Sequence, residues 1–348
     1  YAKWMEYVPE GTPITTTEEF FNLSEGGNGM SMSGTYYLAN DLDFSEFTWT
    51  VNGSNQTFQG ILDGNYKTIK NLTIDYSGVS SSKAGIFNII NGATVKNITF
   101  ENITVKSTNR AGIIVGEVVG DNTATFENIV VRNSSLTGNA DNGVGGLAGM
   151  FQANVNVSNI YVENISLTNT EADNAGAIVG QIDGNNVETR VVTMNDIFVN
   201  GVTSTTVDRA GGIFGEHKNK IKVNLNRVVV LDATITNTDG YAGFIGGRLQ
   251  TNGGQVAITD ALVNGTISSK NNVGVITGAS NSMGNATNTY AVGVSVTGTQ
   301  NGIAANNTLP NFDDIDQEWW ETNLPNIAES ALWTYVPALK AYALVNGQ

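Results

Sequence analysis

Four aspartates recur just ahead of similar glycine-containing segments: Asp141, Asp173, Asp208 and Asp239. Asn109 and Asn272 stand in the corresponding places of the flanking repeats, and Arg110 and Arg209 directly follow Asn109 and Asp208. Carboxylates gathered on one face with guanidinium groups among them are what polysaccharide-cleaving enzymes use, and the same oxygens could hold Ca²⁺ or hydrogen-bond sugar hydroxyls. A plainer account competes. Aspartate and asparagine favour turns, and a turn that recurs brings them back each time. The four aspartates precede the next aligned glycine by 3 to 5 residues, a drift that favours the turn account. Asp141, Asp173, Asp208, Asp239, Arg110 and Arg209 are therefore the ligand-binding candidates, with no catalytic residue and no metal site assigned.

Other chemistry is thinly represented. A zinc-protease H-E-x-x-H signature needs two histidines one helical turn apart, and the chain has one, His217. The same count removes Ser-His-Asp catalysis, and no phosphate loop or dinucleotide fingerprint occurs. The runs D-L-D (41–43) and D-D-I-D (313–316) do not match a calcium loop. No cofactor is expected, and Ca²⁺ is the one ion these acids leave open. The net charge of −15 and pI near 4.4 oppose nucleic acid and anionic membrane surfaces. There is no cysteine, and no apolar run reaches the length of a membrane span. The first residue is Tyr1 rather than Met, which fits a fragment of a larger chain.

The elements that must position these residues are written in a repeat. V-K-N-I-T-F-E-N-I-T-V (95–105) returns as F-E-N-I-V-V-R-N-S-S-L (126–136) and V-S-N-I-Y-V-E-N-I-S-L (157–167). Looser copies follow at 194–202 and 225–235. In the first copy the apolar residues Val95, Ile98, Phe100, Ile103 and Val105 are spaced 3, 2, 3, 2. Spacing 2 is strand, and spacing 3 is a strand with one extra residue that turns a corner and restores the inward direction. The second corner falls on Asn102, Asn133, Asn164, Gly201, Asp232 and Gly265. The first falls on Asn71, Asn97, Asn128, Asn159, Asp196, Arg227, Asp260 and Thr289. Most are types that tolerate a left-handed backbone, and the looser late copies predict less regular last coils. Aligned glycines at Gly85, Gly112, Gly146, Gly176, Gly212, Gly243 and Gly274 mark a third wall where backbones pass closely.

One such coil cannot stand alone. It buries about eight apolar side chains at roughly 1.5–3 kcal/mol each, while ordering about 30 residues costs roughly 1–2 kcal/mol per residue. Stacking is required. The expected fold is all-β: a single right-handed parallel β-helix of about eight coils of ~31 residues, roughly 40 Å long. Open ends would expose core and template aggregation. Thr16 and Glu19 have capping-box spacing for a short helix carrying Phe20, Phe21 and Leu23 over the first coil. Trp319, Trp320, Trp333 and Tyr335 gather after the repeat fades. They suit either a hydrophobic end cap or an aromatic sugar platform, with the cap favoured. The expected division is an N-terminal cap over 1–33, the β-helix over 34–305 and a C-terminal cap over 306–348.

The segments Y-Y-L-A-N-D-L-D-F (36–44) and F-Q-G-I-L-D-G-N-Y-K-T-I-K-N-L (58–72), followed by the glycine anchors, resemble the GLUG-motif β-helices of bacterial surface proteins. They are similar to segments beside the catalytic part of Gram-positive immunoglobulin A metalloproteases, and the resemblance spans about 34–300. Ala84–Phe87 departs from the motif by lacking its closing glycine. The resemblance implies a non-enzymatic extracellular module of the bacterial cell surface, acting as adhesin, ligand-binding or spacer domain. Its partner would be a host glycan or protein. The alternatives are a phage receptor-binding or decoration domain, and a carbohydrate-active β-helix enzyme using the aspartate row.

Overall fold

A chain that alternates spacings of 2 and 3 keeps its apolar side chains inward only by bending at the extra residue. The computed structural model describes the chain except residues 1–6, 52–55, 80–82, 139–142, 171–173, 186, 251–254, 280–282 and 348. The described residues form a parallel β-solenoid of about eight turns. Its long strands Ala124–Gly138, Val155–Asn169, Val191–Thr206, Lys222–Asn237 and Val256–Val273 lie in parallel register, with Ile129, Ile160, Ile197, Val228 and Ala261 stacked in one column.

Both corners sit inside these strands. Asn97, Asn128, Asn159, Asp196, Arg227 and Asp260 all have φ between 53° and 57°, a left-handed backbone that costs a non-glycine residue roughly 1–2 kcal/mol. Their side chains recover some of that by bonding from coil to coil. Asn128 Nδ2 donates to Asn97 Oδ1 at 2.9 Å, and Asn159 Nδ2 donates to Asn128 Oδ1 at 3.0 Å. Arg227, the least expected type, is held by Asp196 through Nε (2.6 Å) and Nη2 (2.7 Å). A second ladder climbs the other corner, where Asn102 donates to Asn71 and Asn164 to Asn133.

The last turns are looser, as expected, with register shifts where Val256–Val273 meets Met283–Val292 and Ser295–Thr299. Two corner assignments need correction: Asn71, expected in the first corner, stands level with Asn102 in the second, and Thr289 is not the first-corner residue of its coil. Asn288, with φ 52°, turns the first corner there. Thr289 is instead buried and donates its hydroxyl to Asn306 Oδ1 at 2.8 Å.

The glycine anchors form the narrow side. Each coil runs through a short strand such as Ala111–Gly112, turns through two buried residues, and returns as a strand of a separate seven-stranded sheet, here Val115–Val118. The two layers touch. A Cβ on Gly112 would lie 2.5 Å from Ala148 Cα, and one on Gly180 would lie 2.3 Å from Gly143 Cα.

The N-terminal helix Thr17–Glu25 has the expected capping box. Glu19 N–H donates to Thr16 Oγ1 at 3.2 Å, and Thr16 N–H donates to Glu19 Oε2 at 3.3 Å. Phe20 packs on Phe44, and Phe21 packs edge-on against Trp49.

The C-terminal segment is also a hydrophobic cover, but what it covers is a flank. Helices Gln317–Asn323 and Pro325–Ala328 and the antiparallel hairpin Trp333–Val336/Ala341–Leu344 form an arm. It doubles back along the outside of the rod. Trp320, Trp333, Tyr342 and Leu344 bury against an outward-facing column made of Val130, Tyr161, Phe198, Val229 and Leu262. The arm also reads the first corner: Asn326 donates to Asp260 (2.8 Å), Trp333 to Asp196 (2.8 Å) and Asn346 to Asn128 (3.1 Å). At the open end the chain itself crosses the last coil, where Ile303 bridges Thr277.

Candidate functional site

The segments carrying Asp208 and Asp239 lead into the narrow side, at Arg209–Gly211 and Tyr241–Gly243. Two of the predicted site residues, Asp141 and Asp173, lie outside the described residues. The other four are placed, and the structure does not gather them into one site.

The two arginines turn inward. On the returning strands, Glu117, Met150, Gln181, Glu216 and Arg248 stack in register. Their side chains meet the residues just before the glycine anchors. Glu117, nearly buried, lies 2.5 Å from Lys83 Nζ and 2.7 Å from Arg110 Nη1. Glu216, equally buried, accepts from Gln181 Nε2 at 2.9 Å and lies 3.2 Å from Arg209 Nε and 3.6 Å from Arg248 Nη1. Arg248 in turn sits over the Tyr241 ring at 5.1 Å. A buried acid left without such partners would cost several kcal/mol, so these two acids depend on cations from their own and the adjacent coils. No direct sign of this is readable from the repeat, because Glu117 and Glu216 occupy a strand position that holds Ile89, Met150, Gln181 and Arg248 in other coils.

The two described aspartates, Asp208 and Asp239, are not level with each other. Arg209 pairs with Tyr241 in the parallel register, which sets Asp208 opposite Gly240 and leaves Asp239 one residue out of step. Asp208 is held by Arg209 Nη2 at 2.7 Å. Asp239 is exposed, 3.4 Å from Lys270 Nζ, and accepts from Asn271. Among the described residues no group of three or more His, Asp or Glu side chains could hold a metal ion. His217 is fully buried in the core column between Ile182 and Leu249. It lies 2.8 Å from the Ile221 carbonyl through Nε2. That nitrogen must carry the proton, since a carbonyl only accepts. Burial pushes the imidazole pKa below its ordinary 6.5.

A different place was missed from sequence. In the coil of residues 61–70, Asp63 pairs with Lys96 and Lys67 with Ile98, so Gly64, Asn65 and Tyr66 all stand opposite the single corner residue Asn97. Asn65 and Tyr66 both take positive φ, 49° and 58°, and the bulge throws Tyr66 outward, 63% exposed. Tyr7 packs edge-on against it with ring centroids 5.6 Å apart. The Tyr7 hydroxyl donates to Asp63, a buried carboxylate that also lies 3.4 Å from Lys96 Nζ. Asn97 Nδ2 donates to Asp63 at 3.1 Å and to the Tyr7 hydroxyl at 3.3 Å. Hollows lie on both sides of the ring pair. One, of about 180 Å³, is lined by Tyr7, Glu10, Thr35, Ile61 and Lys96. The other, of about 200 Å³, is lined by Tyr66, Asn97, Thr99, Asn128 and Asn346. The signal available in the sequence was the run G-N-Y, three residues at a corner that elsewhere holds one.

No protein-family model matches the chain, and no curated protein matches it. Two solved structures are similar in fold. One, from Bacteroides ovatus, is described as a "putative immunoglobulin A1 protease"; it is 17% identical, with a TM-score of 0.60, and the match covers 97% of this chain and 94% of that one. The other is described as an IgA1 protease; it is 19% identical, with a TM-score of 0.53, and the match covers 84% of this chain but 22% of that one. At these identities the likeness is one of β-solenoid architecture.

Proposed function

We propose that this chain is a non-catalytic, ligand-binding β-helical module of an extracellular bacterial protein, of adhesin type. The observation that carries the reading is the fate of its charged side chains. Glu117, Glu216, Arg110 and Arg209 are engaged in ion pairs behind the glycine anchors, within a coil (Arg110–Glu117, Arg209–Glu216) and between coils (Lys83–Glu117, Arg248–Glu216), and these pairs tie the rod together. Acid–base catalysis needs a carboxylate or imidazole within reach of a bound substrate, and the imidazole here is inside the core. The fold shared with two structures described as immunoglobulin A1 proteases supports a secreted or surface-attached setting.

The test is a panel of immobilised glycans and host proteins, immunoglobulin A1 included, probed with the purified chain. Retention of a panel member without any cleavage product is the expected outcome. Complete silence from the folded protein would overturn the ligand-binding reading. Cleavage that disappears in an Asp208→Ala/Asp239→Ala variant would replace it with a carbohydrate-active or proteolytic one.

A further inference from the structure

We propose that the ring pair Tyr7–Tyr66 and the two hollows beside it form a binding groove for neutral glycans, a site that rests on the ligand-binding reading above and gives it a place and a chemistry. Tyr66 is the only tyrosine among the described residues with a left-handed backbone, and its neighbour Asn65 shares that conformation. Two consecutive strained residues persist only where the surroundings over-determine them. Here the buried Asp63 does so, accepting from Asn65 N–H at 2.8 Å. The strain has a visible product, an aromatic face held clear of the surface with polar groups on either side.

That combination suits a sugar. The axial C–H face of a pyranose stacks on an exposed tyrosine ring, while its hydroxyls need groups that both donate and accept. Asn97, Asn128, Asn346 and Thr99 line one hollow, and Thr35, Glu10 and Lys96 line the other. Asparagine and threonine side chains offer both functions. The Oδ1 of Asn346 is buried and has no partner among the described residues, so an acceptor is already desolvated beside the second hollow. Two hollows flanking one ring pair fit two sugar units of an oligosaccharide better than a single one. Charge selects among glycans. Lys96 is already neutralised by Asp63, and the chain carries −15 overall, which opposes sialylated or sulfated chains. Hexose and N-acetylhexosamine units are the class expected.

The experiment compares wild-type protein with Tyr66→Ala and Tyr66→Phe on neutral, sialylated and sulfated oligosaccharides, by calorimetry and by glycan array. Thermal unfolding is followed alongside. Wild type is expected to retain neutral oligosaccharides only. Tyr66→Ala should weaken them by about tenfold or more, while Tyr66→Phe stays within about threefold, because the ring face carries the contact. Both variants should unfold at the wild-type temperature, since the side chain is exposed. Glycan binding indifferent to Tyr66→Ala, or preference for the anionic chains, would overturn this site while leaving a ligand-binding module intact. Binding of proteins alone, with no oligosaccharide retained at millimolar concentration, would overturn it equally.

Discussion

His217 shows how a residue that invites a catalytic reading can belong to the core. It stacks in an otherwise apolar column, gives its one proton to the Ile221 carbonyl, and leaves Nδ1 buried without a partner among the described residues. Burial lowers its pKa in the folded state, although the nearby Asp183 carboxylate pulls the other way. The direction fixes a pH dependence. Above 6.5, the ordinary value, the ring is neutral in both folded and unfolded chains and costs nothing. Below it the unfolded chain binds a proton that the folded chain resists, so stability falls. The fall is up to about 1.4 kcal/mol per pH unit until the folded-state value is reached. Thermal unfolding should therefore drop between pH 7 and pH 5 by more in wild type than in His217→Gln, which keeps an N–H donor. Identical slopes for the two proteins would contradict this.

At the scale of elements, the C-terminal arm is the part that sequence placed in kind but not in position. Its tryptophans are buried, as a cover requires, yet they lie on the flank. The signal was present one residue away from the repeat's core positions. The outward residue between the two inward ones is Thr68 and Thr99 in early coils, then becomes Val130, Tyr161, Phe198, Val229 and Leu262. A solvent-facing strand position that turns apolar for several successive coils must be covered by something. The inward spacing was legible because it obeys strand geometry. This outward column looked like part of the same apolar run. The ion pairs behind the glycine anchors were not legible, since they depend on which loop residue meets which strand residue across a gap that sequence spacing does not encode. Trp333→Ala is expected to remove about 3–5 kcal/mol of arm docking, together with the bond to Asp196. Limited proteolysis should then cut within 312–347 while the solenoid survives, and a hydrophobic dye should bind the bared column. Unchanged protection of that segment would show that the arm does not depend on this anchor.

The whole molecule has closed the surfaces through which solenoids stack. The helix Thr17–Glu25 covers the first coil, Ile303 and its neighbours cross the last, and the arm covers the apolar flank. Covering those places disfavours strand addition by a second copy. Sedimentation at micromolar concentration should give a monomer of 36.8 kDa. A stable trimer would instead favour the phage-particle reading, in which three β-helices pack side by side.

The arm's return has a mechanical consequence. Tyr7 bonds Asn97, Asn346 bonds Asn128, and those two asparagines bond each other across adjacent coils. Both ends of the described chain thus arrive at one waist of the rod. Tension applied through residues 7 and 346 would bypass most of the coils, loading the waist and leaving the long axis slack. A body tethered at those two residues would add almost no reach to a larger chain, a geometry that would suit a unit held out to be touched better than a spacer.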